Sequence, residues 1–180
     1  MSAGKLTRKI RDFIFGAKPP SKIMEERIEL LRRRGIRIGT DCQLYTTAFS
    51  TEPYLVDIGN RVGISGGTKF LTHDASVWLI RTERPNAQVF GRIQVGDNTF
   101  IGENCLILPG TTIGAGCVIA AGSVVRGTIP DNSLVTGNPG QVVGRASLLK
   151  GCHVGLGKVL DTLHLPESER EAAIRRHFGL

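Results

Sequence analysis

An aliphatic residue recurs at every sixth position in the centre of the chain. The series is Val95, Ile101, Ile107, Ile113, Ile119 and Val125. The fifth residue of each six-residue unit is small in five of the six units: Thr99, Cys105, Thr111, Cys117 and Ser123. A period of six fits neither a helix nor a single strand. It predicts a coil with three short strands per turn, stacked into a prism that encloses the aliphatic and small residues.

A second, less regular block of the same period precedes this one. Its members are Ile38, Leu44, Ile58, Ile64 and Phe70, with a break over residues 50–57. Residues 71–92 then interrupt the repeat with both apolar and charged runs. This interval is predicted to be partly coil and partly a loop extruded from the prism.

Helical patterns are predicted on both sides of the repeats. Residues 5–15 carry an apolar stripe, and residues 21–34 run from Ser21 as the N-cap to Gly35 as the stop. Residues 167–177 have acidic side chains early and arginines late, which suits the helix dipole.

The predicted organisation has three parts and is mainly β. Residues 1–35 form a basic helical segment and residues 36–144 a parallel β-helix domain with its loop at about 71–92. Residues 145–180 form a helical tail.

The net charge of +7 is confined to one end of the chain. Residues 1–37 hold 11 Lys and Arg against four acids, so the remainder is balanced at 12 against 12. This distribution, with no zinc-finger spacing, argues against a nucleic-acid partner. Basic residues beside the stripe of residues 5–15 suit a weak peripheral contact with an anionic membrane, although packing of the stripe on the protein body is the preferred interpretation.

A cytoplasmic location is expected. The chain has no apolar run long enough to span a bilayer, and Lys and Arg interrupt residues 5–11, where a secretory signal would be apolar. Its four cysteines form no C-x-x-C pair and are expected to be free. Cys42, Cys105 and Cys117 occupy small interior positions, so they are interpreted as fillers of the prism rather than nucleophiles.

A family resemblance is carried by the run VGDNTFIGENCLILPGTTIGAGCVIAAGSVV. It resembles the hexapeptide-repeat acyltransferases, especially bacterial sugar O-acetyltransferases of the maltose, galactoside, nodulation and surface-polysaccharide types. The similarity covers roughly residues 25–145. It implies a single-stranded left-handed parallel β-helix and a homotrimer with active sites between subunits. It also implies acetyl-CoA as the acetyl donor, a sugar as the acceptor and no metal.

His73 is the predicted general base. Of the four histidines it alone lies in the repeat region, where a turn of the prism gives way to the irregular loop, and it matches the catalytic histidine of the family. A sugar hydroxyl becomes a good nucleophile as its proton is removed, and an imidazole can accept that proton near neutral pH. Asp74 and Glu83 are the candidates to hold the second ring nitrogen, and Asp74 serves equally well as a turn former.

The resemblance also implies the cofactor-binding residues. By the family pattern these are Phe100, Ala121, Gly122 and Ser123. The basic residues usual in relatives are missing at positions 127 and 141, and Arg126 and Arg145 are proposed to replace them as phosphate contacts. In the loop, Trp78 and Glu83 are the predicted acceptor contacts, although Trp78 could equally be buried against the coil.

Three other functions remain open on the sequence. N-acetylation of a nucleotide-linked amino sugar uses the same fold and the same base. A γ-type carbonic anhydrase shares the β-helix but needs three histidines on zinc. A non-enzymatic β-helix scaffold is compatible with the repeats alone.

Overall fold

A computed structural model describes residues 20–155 and 159–180. The chain forms two compact units that part between Arg145 and Ala146. The helix predicted over residues 5–15, and the membrane contact predicted from it, lie outside the described residues. Among the described residues there is no helix with the length and apolar character needed to cross a membrane.

The first unit is a prism whose three faces are built from short strands. Face A contains β1 (Arg37–Ile38), β3 (Val56–Ile58), β6 (Ile93–Val95), β9 (Thr112–Ile113) and β12 (Thr128–Ile129). Face B contains β2 (Gln43–Leu44), β4 (Gly63–Ile64), β7 (Phe100–Ile101), β10 (Val118–Ile119), β13 (Ser133–Thr136) and β14 (Gln141–Arg145). Face C contains β5 (Lys69–Phe70), β8 (Leu106–Ile107) and β11 (Val124–Val125).

Each circuit of the chain around the prism is called a rung. Rung 1 comprises β1, β2 and the bridge residue Phe49; rung 2, β3–β5; rung 3, β6–β8; rung 4, β9–β11; and rung 5, β12 and β13. Successive rungs pair as parallel strands in register, so Gln43 lies beside Gly63 and Gly63 beside Phe100. The parallel β-helix predicted from the period is therefore confirmed.

The prism interior is the hydrophobic core. The six aliphatic residues that lead the repeats are all at most 4% exposed, and Leu44, Ile58, Ile64 and Phe70 of the less regular block are buried with them. Burial of one such side chain stabilises a fold by roughly 1.5–3 kcal/mol. Helix α1 (Pro20–Arg33) covers the open end of this core, since Leu31 is fully buried and Met24 and Ile28 pack against rung 1.

The small fifth residues form a second interior column that is polar. Their hydroxyls and thiols donate to backbone carbonyls: Thr99 to Gly114 at 2.9 Å, Cys117 to Pro130 at 3.1 Å and Ser123 to Ala120 at 2.6 Å. These bonds satisfy groups that would be costly to bury unpaired. Burial raises the pKa of the Cys105 and Cys117 thiols, which keeps them protonated and agrees with their interpretation as fillers.

Replacing Cys117 with serine is expected to lower the free energy of unfolding by roughly 1–2 kcal/mol without impairing catalysis. The more polar hydroxyl is harder to bury than the thiol, but the Pro130 carbonyl already offers it an acceptor. Urea denaturation and a turnover assay on the same preparation measure both effects. Loss of activity in a folded variant would contradict the filler role.

The repeat is shortened at its end. Counting in sixes from Val95 makes Ile129 the fifth residue of its unit, the position that is small in the other five units. Ile129 is instead the buried leading residue of β12, because Arg126 and Gly127 turn the corner in two residues, with Gly127 at φ +77°. Val135 follows six residues later. The chain then reverses into β14, which pairs antiparallel with β13 and had not been predicted.

The second unit is helical. Helix α2 (Ala146–Gly155) falls within the helical tail predicted over residues 145–180, although no separate helix was predicted there. Helix α3 (Glu167–Phe178) confirms the helix expected over residues 167–177. An ion pair between Arg175 and Glu171, 2.8 Å apart, supports α3 on its exposed surface.

The interruption at residues 71–92 is an extruded loop with a closed neck. His73 and Phe90 form an antiparallel bridge, the Asp74 N–H donates to Val89 at 2.9 Å, and the Gly91 N–H donates to Thr72 at 2.8 Å. Beyond the neck, residues Ala75–Ile80 form a short 3₁₀ helix. The loop leaves from face C and returns to face A, so it marks one corner of the prism.

Candidate active site

The corner between faces C and A, here the loop corner, carries the predicted base. On rung 2 it presents His73 at the neck of the extruded loop, with 45% of the side chain exposed. On rung 1 it presents Glu52, just before a short 3₁₀ helix (Pro53–Leu55). On rung 4 it presents Arg126.

Glu52 is the hydrogen-bond partner of the His73 ring. Glu52 Oε2 lies 3.2 Å from His73 Nδ1 and also accepts a hydrogen bond from the Thr72 hydroxyl at 2.9 Å. The side chain of Glu52 is 15% exposed, so the pair is partly shielded from water. Hydrogen bonds from the Thr51 hydroxyl, and then from Thr72 and His73, hold the pKa of Glu52 below its usual value despite the opposing effect of burial. Glu52 is therefore an anion near neutral pH.

This pairing gives the two ring nitrogens different roles. Nδ1 donates its proton to the Glu52 carboxylate, so Nε2, on the far side of the ring, carries the lone pair. Glu52 also favours the imidazolium that forms when Nε2 takes a proton. The arrangement is that of a general base with an orienting carboxylate.

Asp74 and Glu83 do not hold the ring, contrary to expectation. The Asp74 carboxylate accepts from the Ser76 N–H at 2.9 Å and begins the 3₁₀ helix of the loop. That hydrogen bond is the main reason why the pKa of Asp74 is lowered, with Arg126, 4.0 Å away, contributing less. Its turn-forming role is thus correct. Glu83 lies exposed in the loop.

Glu52 was missed because residues 50–57 had been treated as a break in the repeat. Phe49 pairs with Phe70 across rungs 1 and 2, an offset of 21 residues. The same offset places Glu52 directly beside His73. Phe49 and Phe70 are both in phase with the repeat, and aligning them in the sequence would have identified Glu52 as the partner of His73.

The predicted cofactor residues are distributed around the prism. Phe100 lies on face B, 48% exposed, and Ala121 and Gly122 are exposed at the corner between faces B and C. Arg126 is at the loop corner on rung 4, and Arg145 is exposed at the end of β14. A single chain therefore does not bring Phe100 together with His73.

Ser123 must be removed from the predicted cofactor contacts. It is completely buried inside the prism, where its hydroxyl donates to the Ala120 carbonyl. Trp78 is 73% exposed, so the interpretation that it is buried against the coil is wrong. The Arg81 guanidinium lies 5.6 Å from the centre of its ring.

The described side chains do not support the γ-type carbonic anhydrase alternative, which depends on zinc. Within residues 20–155 and 159–180, no three His, Cys, Asp or Glu side chains are grouped so that they could hold a metal ion. The γ-type carbonic anhydrase mechanism needs three histidines on one zinc.

Comparisons with known proteins identify the repeat and the fold. The family described as bacterial transferase hexapeptide (six repeats) matches residues 92–127. Protein CapG of Staphylococcus aureus is 45% identical over 127 residues, covering 68% of this chain and 74% of its own length. The protein named "Putative lipopolysaccharide biosynthesis O-acetyl transferase WbbJ" of Escherichia coli (strain K12) is 45% identical over 28% of this chain and 26% of its own length.

A solved structure extends the match to three dimensions. A hexapeptide-repeat containing acetyltransferase from Vibrio cholerae superposes with a TM-score of 0.59 and 27% identity, covering 68% of this chain and 81% of that one. The repeat, the prism and the relatives lead to one assignment. The chain belongs to the hexapeptide-repeat acyltransferases and is an acetyltransferase with a left-handed parallel β-helix.

Proposed function

We propose that the protein transfers the acetyl group of acetyl-CoA to a hydroxyl of a sugar, with His73 as the general base. The observation that carries this proposal is the hydrogen bond between Glu52 Oε2 and His73 Nδ1 at the loop corner. The sugar acceptor is supported by the resemblance to sugar O-acetyltransferases and by the name of WbbJ. The proposed acceptor is a surface-polysaccharide or oligosaccharide precursor, and a cytoplasmic location belongs to the same proposal.

In the proposed mechanism, His73 carries a proton from the sugar hydroxyl to the CoA sulfur. Nε2 of His73 removes the hydroxyl proton as the sugar oxygen attacks the thioester carbonyl. The carbon–sulfur bond then breaks, and the imidazolium returns its proton to the departing CoA sulfur. Glu52 remains ionised throughout and stabilises the imidazolium. The products are the sugar acetate and CoA.

The acetyl-CoA contacts form part of the same proposal. The path of the pantetheine chain is lined by Ala121, Gly122 and Phe100. The phosphates of CoA are bound by Arg126 and Arg145. Since Phe100 and His73 lie on different sides of one prism, the complete site lies between two subunits. Trp78 and Glu83 of the extruded loop contact the acceptor.

A thiol-release assay with acetyl-CoA tests the function. The panel contains free hexoses, N-acetylhexosamines, UDP-linked N-acetylhexosamines and UDP-linked amino sugars. Release above the rate of acetyl-CoA hydrolysis, with a product that mild alkali cleaves, supports O-acetylation. An alkali-stable product formed from the amino sugars alone would establish the N-acetyltransferase alternative, and no acceptor-dependent release would contradict both.

A homotrimer is expected in solution. The proposed site takes residues from two copies, and a closed ring of three provides three equivalent sites. Sedimentation velocity at micromolar concentration should give three times the chain mass of 19.4 kDa. A fully active monomer would contradict the shared site.

A further inference from the structure

The buried hydroxyl groups of the prism share one bonding pattern, from which a single residue departs. In the described part of the chain, the buried Ser and Thr residues are Thr46, Thr68, Thr72, Thr99, Thr111, Ser123 and Ser133. All of these except Thr72 donate to a backbone carbonyl. Thr72 donates instead to a side chain, the carboxylate of Glu52, at 2.9 Å. The departure from the pattern therefore lies beside the proposed base.

The Thr72 hydroxyl depends on Glu52 as its acceptor. Thr72 is completely buried, so water does not reach the hydroxyl to replace a lost partner. A buried hydroxyl without an acceptor is costly, and a hydrogen bond to a charged carboxylate is stronger than one to a neutral carbonyl. The fold therefore favours the conformation of Glu52 that brings its carboxylate to Thr72.

The carboxylate oxygen that Thr72 binds is also the one that contacts the base. Glu52 Oε2 lies 2.9 Å from the Thr72 hydroxyl and 3.2 Å from His73 Nδ1. Successive side chains of an extended chain point to opposite sides, so Thr72 points into the prism while the His73 side chain is 45% exposed. One oxygen atom thus connects the prism interior to the exposed imidazole ring.

Thr51 and Thr72 act on Glu52 in different ways. The Thr51 hydroxyl donates to the other oxygen, Oε1, and is the largest cause of the lowered pKa of Glu52, ahead of Thr72. Thr51 is exposed, so water can take over its hydrogen bond. Thr72 approaches from the interior, where water cannot substitute for it. The charge of Glu52 therefore does not depend on Thr72 alone, whereas the position of Oε2 does.

The backbone around Thr72 is held without the help of its hydroxyl. The Ser50 N–H donates to the Phe70 carbonyl at 3.0 Å, and the Thr72 N–H donates to the Ser50 hydroxyl oxygen at 3.2 Å. The rings of Phe49 and Phe70 stack with their centres 4.8 Å apart. Valine has nearly the shape of threonine, so Thr72→Val removes the hydroxyl and retains the pairing of rungs 1 and 2.

From this geometry, and resting on the proposed function, we infer that Thr72 is a positioning residue: its buried hydroxyl fixes Glu52 Oε2 against the His73 ring and thereby sets the direction of Nε2. Because Thr72 is completely buried, it acts through Glu52 and not on the substrates. A misplacement of about 1 Å can cost roughly 10²-fold in rate, so a hydroxyl inside the prism can influence kcat.

Steady-state kinetics with the most active sugar of the panel tests this role. Thr72→Val is expected to lower kcat about 10-fold and to leave the KM values for the sugar and acetyl-CoA unchanged. Thr72→Ser keeps the hydroxyl and should restore most of the lost kcat. Thr99→Val is the matched control, because Thr99 is also buried but donates to the Gly114 carbonyl at the corner between faces A and B. This control should lose comparable stability in urea and keep its kcat.

A double variant tests whether Thr72 acts through Glu52. In the Glu52→Ala background, Thr72→Val should lower kcat no further, because no carboxylate remains to be positioned. An equal loss with and without Glu52, a failure of serine to restore kcat, or wild-type kcat in Thr72→Val would each overturn the inference. None of these outcomes depends on the role of His73, whereas an active His73→Ala variant would refute the proposed function itself.

Discussion

Replacing His73 with alanine is expected to lower kcat by about 10²–10⁴-fold, the usual contribution of a positioned general base. The imidazole is the group at the loop corner that combines an exposed nitrogen with an orienting carboxylate. The fold should be retained, because the side chain is almost half exposed and supports little packing. The measurement is acceptor-dependent thiol release, with circular dichroism to confirm the fold.

Two further variants separate the chemistry from the structure. His73→Asn keeps an N–H near the position of Nδ1 for Glu52 but has no second ring nitrogen, so it should be as inactive as the alanine variant. His164→Ala is the matched control, because His164 is also exposed and lies 3.7 Å from a carboxylate, that of Asp161. Near-wild-type turnover of either His73 variant would exclude the role as base.

Glu52→Gln is expected to lower kcat by about 10²-fold, less than loss of the base itself. The amide keeps the shape of the side chain but no longer enforces Nδ1 protonation or stabilises the imidazolium, and loss of such a carboxylate can cost up to ~10⁴-fold. The closed neck of the loop still fixes the backbone of His73. In the His73→Ala background, Glu52→Gln should lower kcat no further, because the carboxylate acts through the ring.

That dependence on His73 distinguishes positioning from a merely structural role. Thr51→Val serves as the control: it removes a hydrogen bond to Glu52 but leaves the Glu52–His73 pair, so kcat should stay near the wild-type value. Because the pKa of Glu52 is lowered in the fold, its charged form contributes stability above the ordinary carboxyl pKa near ~4.3. The stability difference between wild type and Glu52→Gln should therefore shrink as the pH falls through the lower, folded value. An equal loss of kcat from Glu52→Gln with and without His73 would contradict the positioning role.

The prism could be predicted from the sequence because its period depends on a local rule. Each leading aliphatic and each small residue two positions before it must fit inside, so the pattern is visible wherever six-residue spacing holds. Ile129 escaped this rule because a two-residue corner at Arg126 and Gly127 shortens the spacing. A local period cannot reveal where a corner gains or loses residues.

The candidate site was only half predictable for a related reason. His73 was recognisable from its place at a corner, but its partner Glu52 is 21 residues away and meets it only through the stacking of rungs. Asp74 is the carboxylate nearer to His73 in sequence, but it accepts a hydrogen bond from the backbone N–H of Ser76 instead.

The closed neck of the extruded loop makes the position of His73 independent of the length and composition of the loop. His73 and Phe90 pair where the loop leaves and re-enters the prism, so the chain between them can vary in length or composition while the histidine keeps its position. Transplanting the segment between residues 75 and 88 from a relative with another acceptor should thus exchange substrate preference and preserve the acetyl-transfer chemistry. An insert held by such a neck is an exchangeable module on a fixed frame.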